Sequence, residues 1–167
     1  MTEPARLLKS APPLAHDRVV LDYDGRLLRR KLLTTDAGRS FLVSLPAVTN
    51  LDDYWGFELG GGICVQIDPA PEAVLVITGN LTRLAWHIGN RHTPCQILPD
   101  RLMIRQDHVL EAMLNGLGAT ITRATLPFKP EGGAYGHGRT MGHDHGGHDH
   151  APADPTPETF GWHHHGD

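Results

Sequence analysis

Apolar and polar residues alternate through the first half of the chain, the period of a strand with one face on a core. Residues 18–23 (Arg-Val-Val-Leu-Asp-Tyr) form the first such run. Asp24-Gly25 follows as a hairpin signal, and the extended pattern resumes over residues 26–34. Asp36-Ala37-Gly38-Arg39 predicts a turn, residues 40–45 alternate again, and Pro46 is expected to end that strand. Gly60-Gly61-Gly62 separates a later pair whose second member is residues 63–67. Short strands with turn signals between them predict a small all-β domain, a sandwich or barrel, over residues 1–70.

The periodicity changes after Asp68-Pro69-Ala70-Pro71-Glu72, where two prolines stiffen the chain and are expected to interrupt any ladder. Residues 73–78 are a continuous apolar strand, and Gly79-Asn80 offers a helix N-cap. Leu81, Leu84, Ala85 and Ile88 then fall on one helical face, with Gly89-Asn90 as the stop. Residues 96–98 and 101–104 are short extended segments about a Pro99-Asp100 turn. Asp107 can cap a second helix with a stripe of Leu110, Met113, Leu114 and Leu117, and residues 119–124 read as a last strand. The order β-α-β-β-α-β predicts a ferredoxin-like domain over residues 73–135, so the fold class is α+β.

Composition changes the picture for residues 136–167. This stretch holds eight of the twelve histidines and too few aliphatic residues to build a core, so a disordered His-rich tail is expected. From Glu131 onward there are six acidic residues and one basic residue, which leaves the body near +1 against −4 for the chain. A near-neutral body gives no electrostatic case for nucleic acid or an anionic membrane. The one basic run, Arg29-Arg30-Lys31, reads as a solvated strand edge. No apolar stretch approaches the roughly 20 residues of a membrane span, and the start lacks a signal-peptide pattern, so a cytoplasmic location is expected. Cys64 and Cys95 make no CxxC and read as small buried residues.

The tail's clusters, His143-Asp144-His145, His148-Asp149-His150 and His163-His164-His165, suit a transition metal. Neutral imidazole supplies a lone pair, and the carboxylates between draw in a divalent cation. An expression tag would be an uninterrupted run, which this is not. Of the body histidines, His16 reads as a solvated loop residue, and His87 lies opposite the apolar stripe of its helix. His92 is left open between organising the turn after that helix and binding metal. His108 follows the capping Asp107 at a helix start, where the positive end-charge favours the neutral imidazole that a metal needs. HExxH is absent and no nucleophile-plus-base constellation surrounds these residues, so no enzyme is expected. A metal store built on the tail alone is the alternative to a delivery protein.

Three blocks carry a family resemblance: Trp86-His87-Ile88-Gly89-Asn90-Arg91-His92-Thr93-Pro94, Asp107-His108-Val109-Leu110, and Leu126-Pro127-Phe128-Lys129-Pro130-Glu131-Gly132-Gly133-Ala134-Tyr135 leading into the tail. Together they resemble the urease accessory protein UreE family of nickel metallochaperones. The resemblance implies a cytoplasmic homodimer whose N-terminal β-domain binds protein partners. It implies that His108 ligates Ni(II) at the dimer interface and that tail histidines supplement it: His137 first, then His143, His145, His148 and His150. It also implies delivery to the urease accessory GTPase UreG within an assembly containing apo-urease. Zn(II) or Cu(II) can compete for such ligands.

Overall fold

Residues 5–133 are described by a computed structural model. The alternating residues of the first half converge on one core. Val19 and Leu21 come from β2 (Asp17–Leu21), Leu28 and Leu33 from β3 (Leu27–Thr34), and Phe41 and Val43 from β4 (Ser40–Asn50). Phe57 of β5 (Gly56–Leu59) and Val65 of β6 (Ile63–Pro69) complete it, with Phe41 and Phe57 edge to face at 5.3 Å. Two sheets share this core. One has the order β1-β5-β6-β2, where β1 is Arg6–Leu8 and β2 runs parallel to β6; in the other, β3 and β4 pair with each other.

Three local expectations fail for identifiable reasons. The chain does turn at Asp24-Gly25, with the Leu27 amide donating to the Asp24 carbonyl at 3.2 Å, but β2 and β3 then enter different sheets. Turn residues specify a reversal, whereas the strand's partner is set by which face must be buried. Pro46 lies inside β4 rather than at its end. Leu28 opposes Thr49 while Arg30 opposes Ser44, so the four residues 45–48 stand against the single Arg29. The proline's missing N–H falls in that bulge, where no ladder bond needs it. Nor do Pro69 and Pro71 interrupt the ladders. Strand β6 runs to Pro69, β7 (Pro71–Thr78) begins at Pro71, and the intervening Ala70 donates its amide to the Leu21 carbonyl at 2.8 Å.

The second half follows the order read from the sequence: β7, α1 (Leu81–Asn90), β8 (Gln96–Ile97), β9 (Leu102–Arg105), α2 (His108–Gly116) and β10 (Thr120–Pro127). The sheet is antiparallel throughout, in the order β10-β7-β9-β8. Leu84 and Ile88 of α1 and Leu110 and Leu114 of α2 pack on Leu75, Ile77, Leu102 and Ile104, which places both helices on one face of the sheet. Val74 and Met103 point to the other face and meet Tyr23 and Phe128.

Tyr23 and Phe128 belong to opposite halves, so this small cluster is a joint. Their rings meet edge to face at 5.7 Å, and the Arg105 guanidinium lies 4.9 Å over the Tyr23 ring. At its centre is Arg26, 1% exposed. Its guanidinium donates to the Asp52 carboxylate at 2.5 Å, to the Leu21 carbonyl at 2.9 Å and to the Phe128 carbonyl at 2.5 Å. A buried guanidinium must find acceptors for its fork of donors, and these three come from both halves of the chain.

Candidate metal centre

Helix α1 ends at Asn90, and the next residues close it with backbone bonds: the Arg91 amide to Ile88 at 3.0 Å and the His92 amide to Gly89 at 2.9 Å. His92 has φ +54°, and among the described residues it is the non-glycine with positive φ. This is the left-handed position past a helix end where glycine is the default, so His92 organises the turn with its backbone. Its side chain is exposed and takes no part in that task.

Helix α2 begins with the cap that the sequence predicts. One Asp107 carboxylate oxygen accepts from the amides of Val109 and Leu110, each at 2.9 Å. The Leu110 amide, foremost, holds the Asp107 carboxyl below its ordinary range. His108 is the first helical residue and is exposed, clear of the buried Leu110 and Leu114.

A groove of about 510 Å³ joins these two helix ends, with His92, Thr93 and Pro94 on one wall and Gln106, Asp107 and Leu110 on the other. A second cavity, about 240 Å³, lies on the other side of His92, between α1 and the first half of the chain. Tyr23, Asp52, Cys95, Glu131, Gly132 and Gly133 are among its lining. The last described residues are tied down there: the Lys129 amide donates to the Gln96 side chain at 3.0 Å and the Glu131 amide to the Cys95 carbonyl at 2.9 Å. His92 therefore borders both depressions, one reaching the cap of His108 and the other the point from which the His-rich segment departs. Among the described residues no three His, Cys, Asp or Glu side chains converge to hold an ion.

Two family matches cover most of the chain. The N-terminal domain of the UreE urease accessory protein matches residues 3–53 and its C-terminal domain matches residues 72–165. The chain is 61% identical to the urease accessory protein UreE of Rhodobacter capsulatus over 79% of this chain and 85% of the relative. It is 62% identical to that of Cereibacter sphaeroides over 77% and 70%, and 60% identical to that of Paracoccus denitrificans over 81% and 87%. The chain belongs to the UreE urease accessory protein family. Members are nickel chaperones of urease maturation and not enzymes, and the body described above fits that role. Among the described residues, His92 and His108 are exposed single imidazoles at helix ends.

The remaining candidates divide clearly. His137, His143, His145, His148 and His150, and with them the expected disorder of residues 136–167, lie outside the described residues. His87 is half-buried, its ring edge-on to Trp86 at 5.0 Å. His16 has a structural task that the sequence did not disclose. Its Nδ1 accepts from the Cys64 amide at 3.0 Å while its own amide donates to the Cys64 carbonyl at 2.8 Å. Cys64 and Cys95 are free, and burial pushes the Cys95 thiol up to about 11, so it stays protonated at neutral pH. Two large apolar side chains beside the helix histidines, Trp86 and Val109, are 64% and 54% exposed; only their places in the sequence blocks hinted at them. No helix among the described residues is long and apolar enough to cross a membrane.

Proposed function

We propose that this chain carries Ni(II) for urease assembly on an open site whose body ligands are His92 and His108. Tail histidines complete it, beginning with His137. One observation supports this reading above the others: His92 borders both the groove leading to Asp107 and the cavity from which the tail departs. His137 is four residues past Gly133, within about 14 Å of extended chain, so it can approach His92 before any other tail histidine. The weight thus moves from His108 alone, as the resemblance implies, to the pair. His143, His145, His148 and His150 act as a looser reservoir, and Zn(II) or Cu(II) compete for the same imidazoles.

A second copy of the chain is the natural source of further ligands. The exposed Trp86 and Val109, next in sequence to His87 and His108, supply apolar surface for a two-fold contact in the ferredoxin-like half. Such a homodimer presents each histidine twice. An exposed shell completed by water and tail imidazoles also suits transfer, because an incoming partner's ligands can enter before the old ones leave. The receiving partners are the urease accessory GTPase and the apo-urease assembly, in the cytoplasm.

Nickel titration calorimetry, beside sedimentation, tests this on four proteins: the full chain, His92→Ala, His108→Ala and a chain ending at Ala134. Loss of the tightest site in His92→Ala or His108→Ala, with one ion per dimer kept after truncation, is the expected pattern. If both alanine variants keep the tightest site and truncation removes all binding, the chain is a tail-borne store instead.

A further inference from the structure

Residues 151–162 (Ala-Pro-Ala-Asp-Pro-Thr-Pro-Glu-Thr-Phe-Gly-Trp) contain no histidine, although His150 precedes them and His163 follows. Metal carriage gives them no task. They hold two carboxylates, Asp154 and Glu158, and two large aromatic side chains, Phe160 and Trp162, in a segment otherwise made of small residues and proline.

The body has a surface of opposite chemistry. The β3–β4 hairpin puts Leu28, Leu33, Phe41 and Val43 into the core, and its other face is left open. On that face Leu32 sits opposite Leu42 in register, 65% and 39% exposed, with Arg30 opposite Ser44 beside them. Arg30 is the basic residue of this face, since Lys31 opposes the core residue Val43 and Arg29 lies in the bulge; all three are exposed, and none forms an ion pair among the described residues. Arg6, Arg18, Arg26, Arg101, Arg105 and Arg123, by contrast, each have a carboxylate partner. An uncompensated guanidinium beside a pair of exposed leucines, with two more free cations at the margin of that face, fits an acidic segment with aromatic anchors. The two strands pair only with each other, and on the outer edge of β4 the Leu42 carbonyl already accepts from the Ala5 amide at 3.5 Å, so the open ground is the Leu32–Leu42 face and not that edge.

We infer that residues 154–162 of the chain's own tail dock on the outer face of the β3–β4 hairpin. Phe160 and Trp162 cover Leu32 and Leu42, while Asp154 and Glu158 meet Arg30 and reach towards Arg29 and Lys31 at the margin. Twenty residues lie between Gly133 and Asp154, a root-mean-square span of about 25 Å for a flexible chain. Tethering at that length gives an effective concentration on the order of mM, so a contact with a Kd of about 1 mM leaves about half the chains docked. Docking would tether the segment with the histidines at 143–150 at both of its ends.

The test uses apo protein, full length, with methyl and amide NMR on the hairpin. Phe160→Ala with Trp162→Ala should shift the Leu32 and Leu42 methyls and the amides of residues 29–31 to their positions in a chain ending at Ala153. The Trp86 and Val109 signals should not move. Arg30→Glu with Lys31→Glu should remove the difference between full-length and shortened chains, and adding Asp154→Lys with Glu158→Lys should bring it back. Hairpin signals that ignore the aromatic substitutions would overturn the inference. So would shifts that grow with protein concentration, which mark a second copy, or shifts that map to α1 and α2.

Discussion

Replacing Arg26 by methionine keeps most of the side-chain volume and removes the guanidinium. Three acceptors lose their donor: the Asp52 carboxylate and the carbonyls of Leu21 and Phe128. Asp52 is only 11% exposed at its side chain, so water cannot fully replace the lost partner. Breaking a buried pair by removing one member costs about 3–5 kcal/mol, since the other charge stays uncompensated. The orphaned carbonyls add to this, at about 1–3 kcal/mol each when counted singly, though not additively. A loss of about 4 kcal/mol is therefore expected for Arg26→Met, against a total of about 5–15 kcal/mol for a domain. Urea unfolding of the apo protein, followed by tryptophan fluorescence, gives the value from the shift in midpoint at constant slope. Adding Asp52→Leu should recover about half the loss, because the double variant leaves no buried charge. A loss under about 1 kcal/mol for Arg26→Met, or no recovery in the double variant, would refute the view that this cluster holds the two halves together.

Other outcomes follow from the same geometry. His92→Gly should raise stability by about 0.5–1 kcal/mol, since glycine takes positive φ without the cost a side chain carries, while nickel affinity falls; unchanged affinity would make the imidazole structural only. Cys95 should resist iodoacetamide at pH 8 and react in step with a titration near 11, as burial raises its thiol; brisk alkylation at pH 8 would contradict that burial. Asp107 has a carboxyl lowered from 3.8 by its bonds to the Leu110 and Val109 amides, so it stabilises the fold above that value and less as pH falls through the lowered one. Asp107→Ala should therefore be less stable than the parent at pH 7, with the gap closing in acid. A gap independent of pH in acid denaturation scans would remove Asp107 as the source.

What could be read from the chain beforehand depended on how local the governing physics is. Helix caps are local, and both Asn80 and Asp107 accept the amide bonds expected of them, at Arg83 and at Val109 and Leu110. Apolar stripes are local too, and Leu84, Ile88, Leu110 and Leu114 are all buried. Strand pairing is not local. Nothing near Asp24-Gly25 announces that β2 will find β6 more than forty residues away and run parallel to it. Arg26 reads as one more basic residue in a strand, because burial of a guanidinium depends on Asp52 and Phe128, which arrive from distant parts of the sequence. The candidate site divides in the same way. The Gly-Asn-Arg-His and Asp-His-Val-Leu blocks mark His92 and His108 as unusual, yet the groove that runs from His92 to Asp107 comes from α1 and α2 covering one sheet face.

The joint at Ala70 has a consequence for how the molecule moves. A single hydrogen-bonded residue between two strands, backed by the Arg26 cluster, has almost no torsional slack, so the halves should tumble as one body. Under the function proposed above, a protein that grips the β-half would find His92 at a fixed range and bearing, as a workpiece is presented by a jig. Lengthening that joint by even a few glycines would leave every proposed ligand in place and still spoil the alignment that such a hand-over needs.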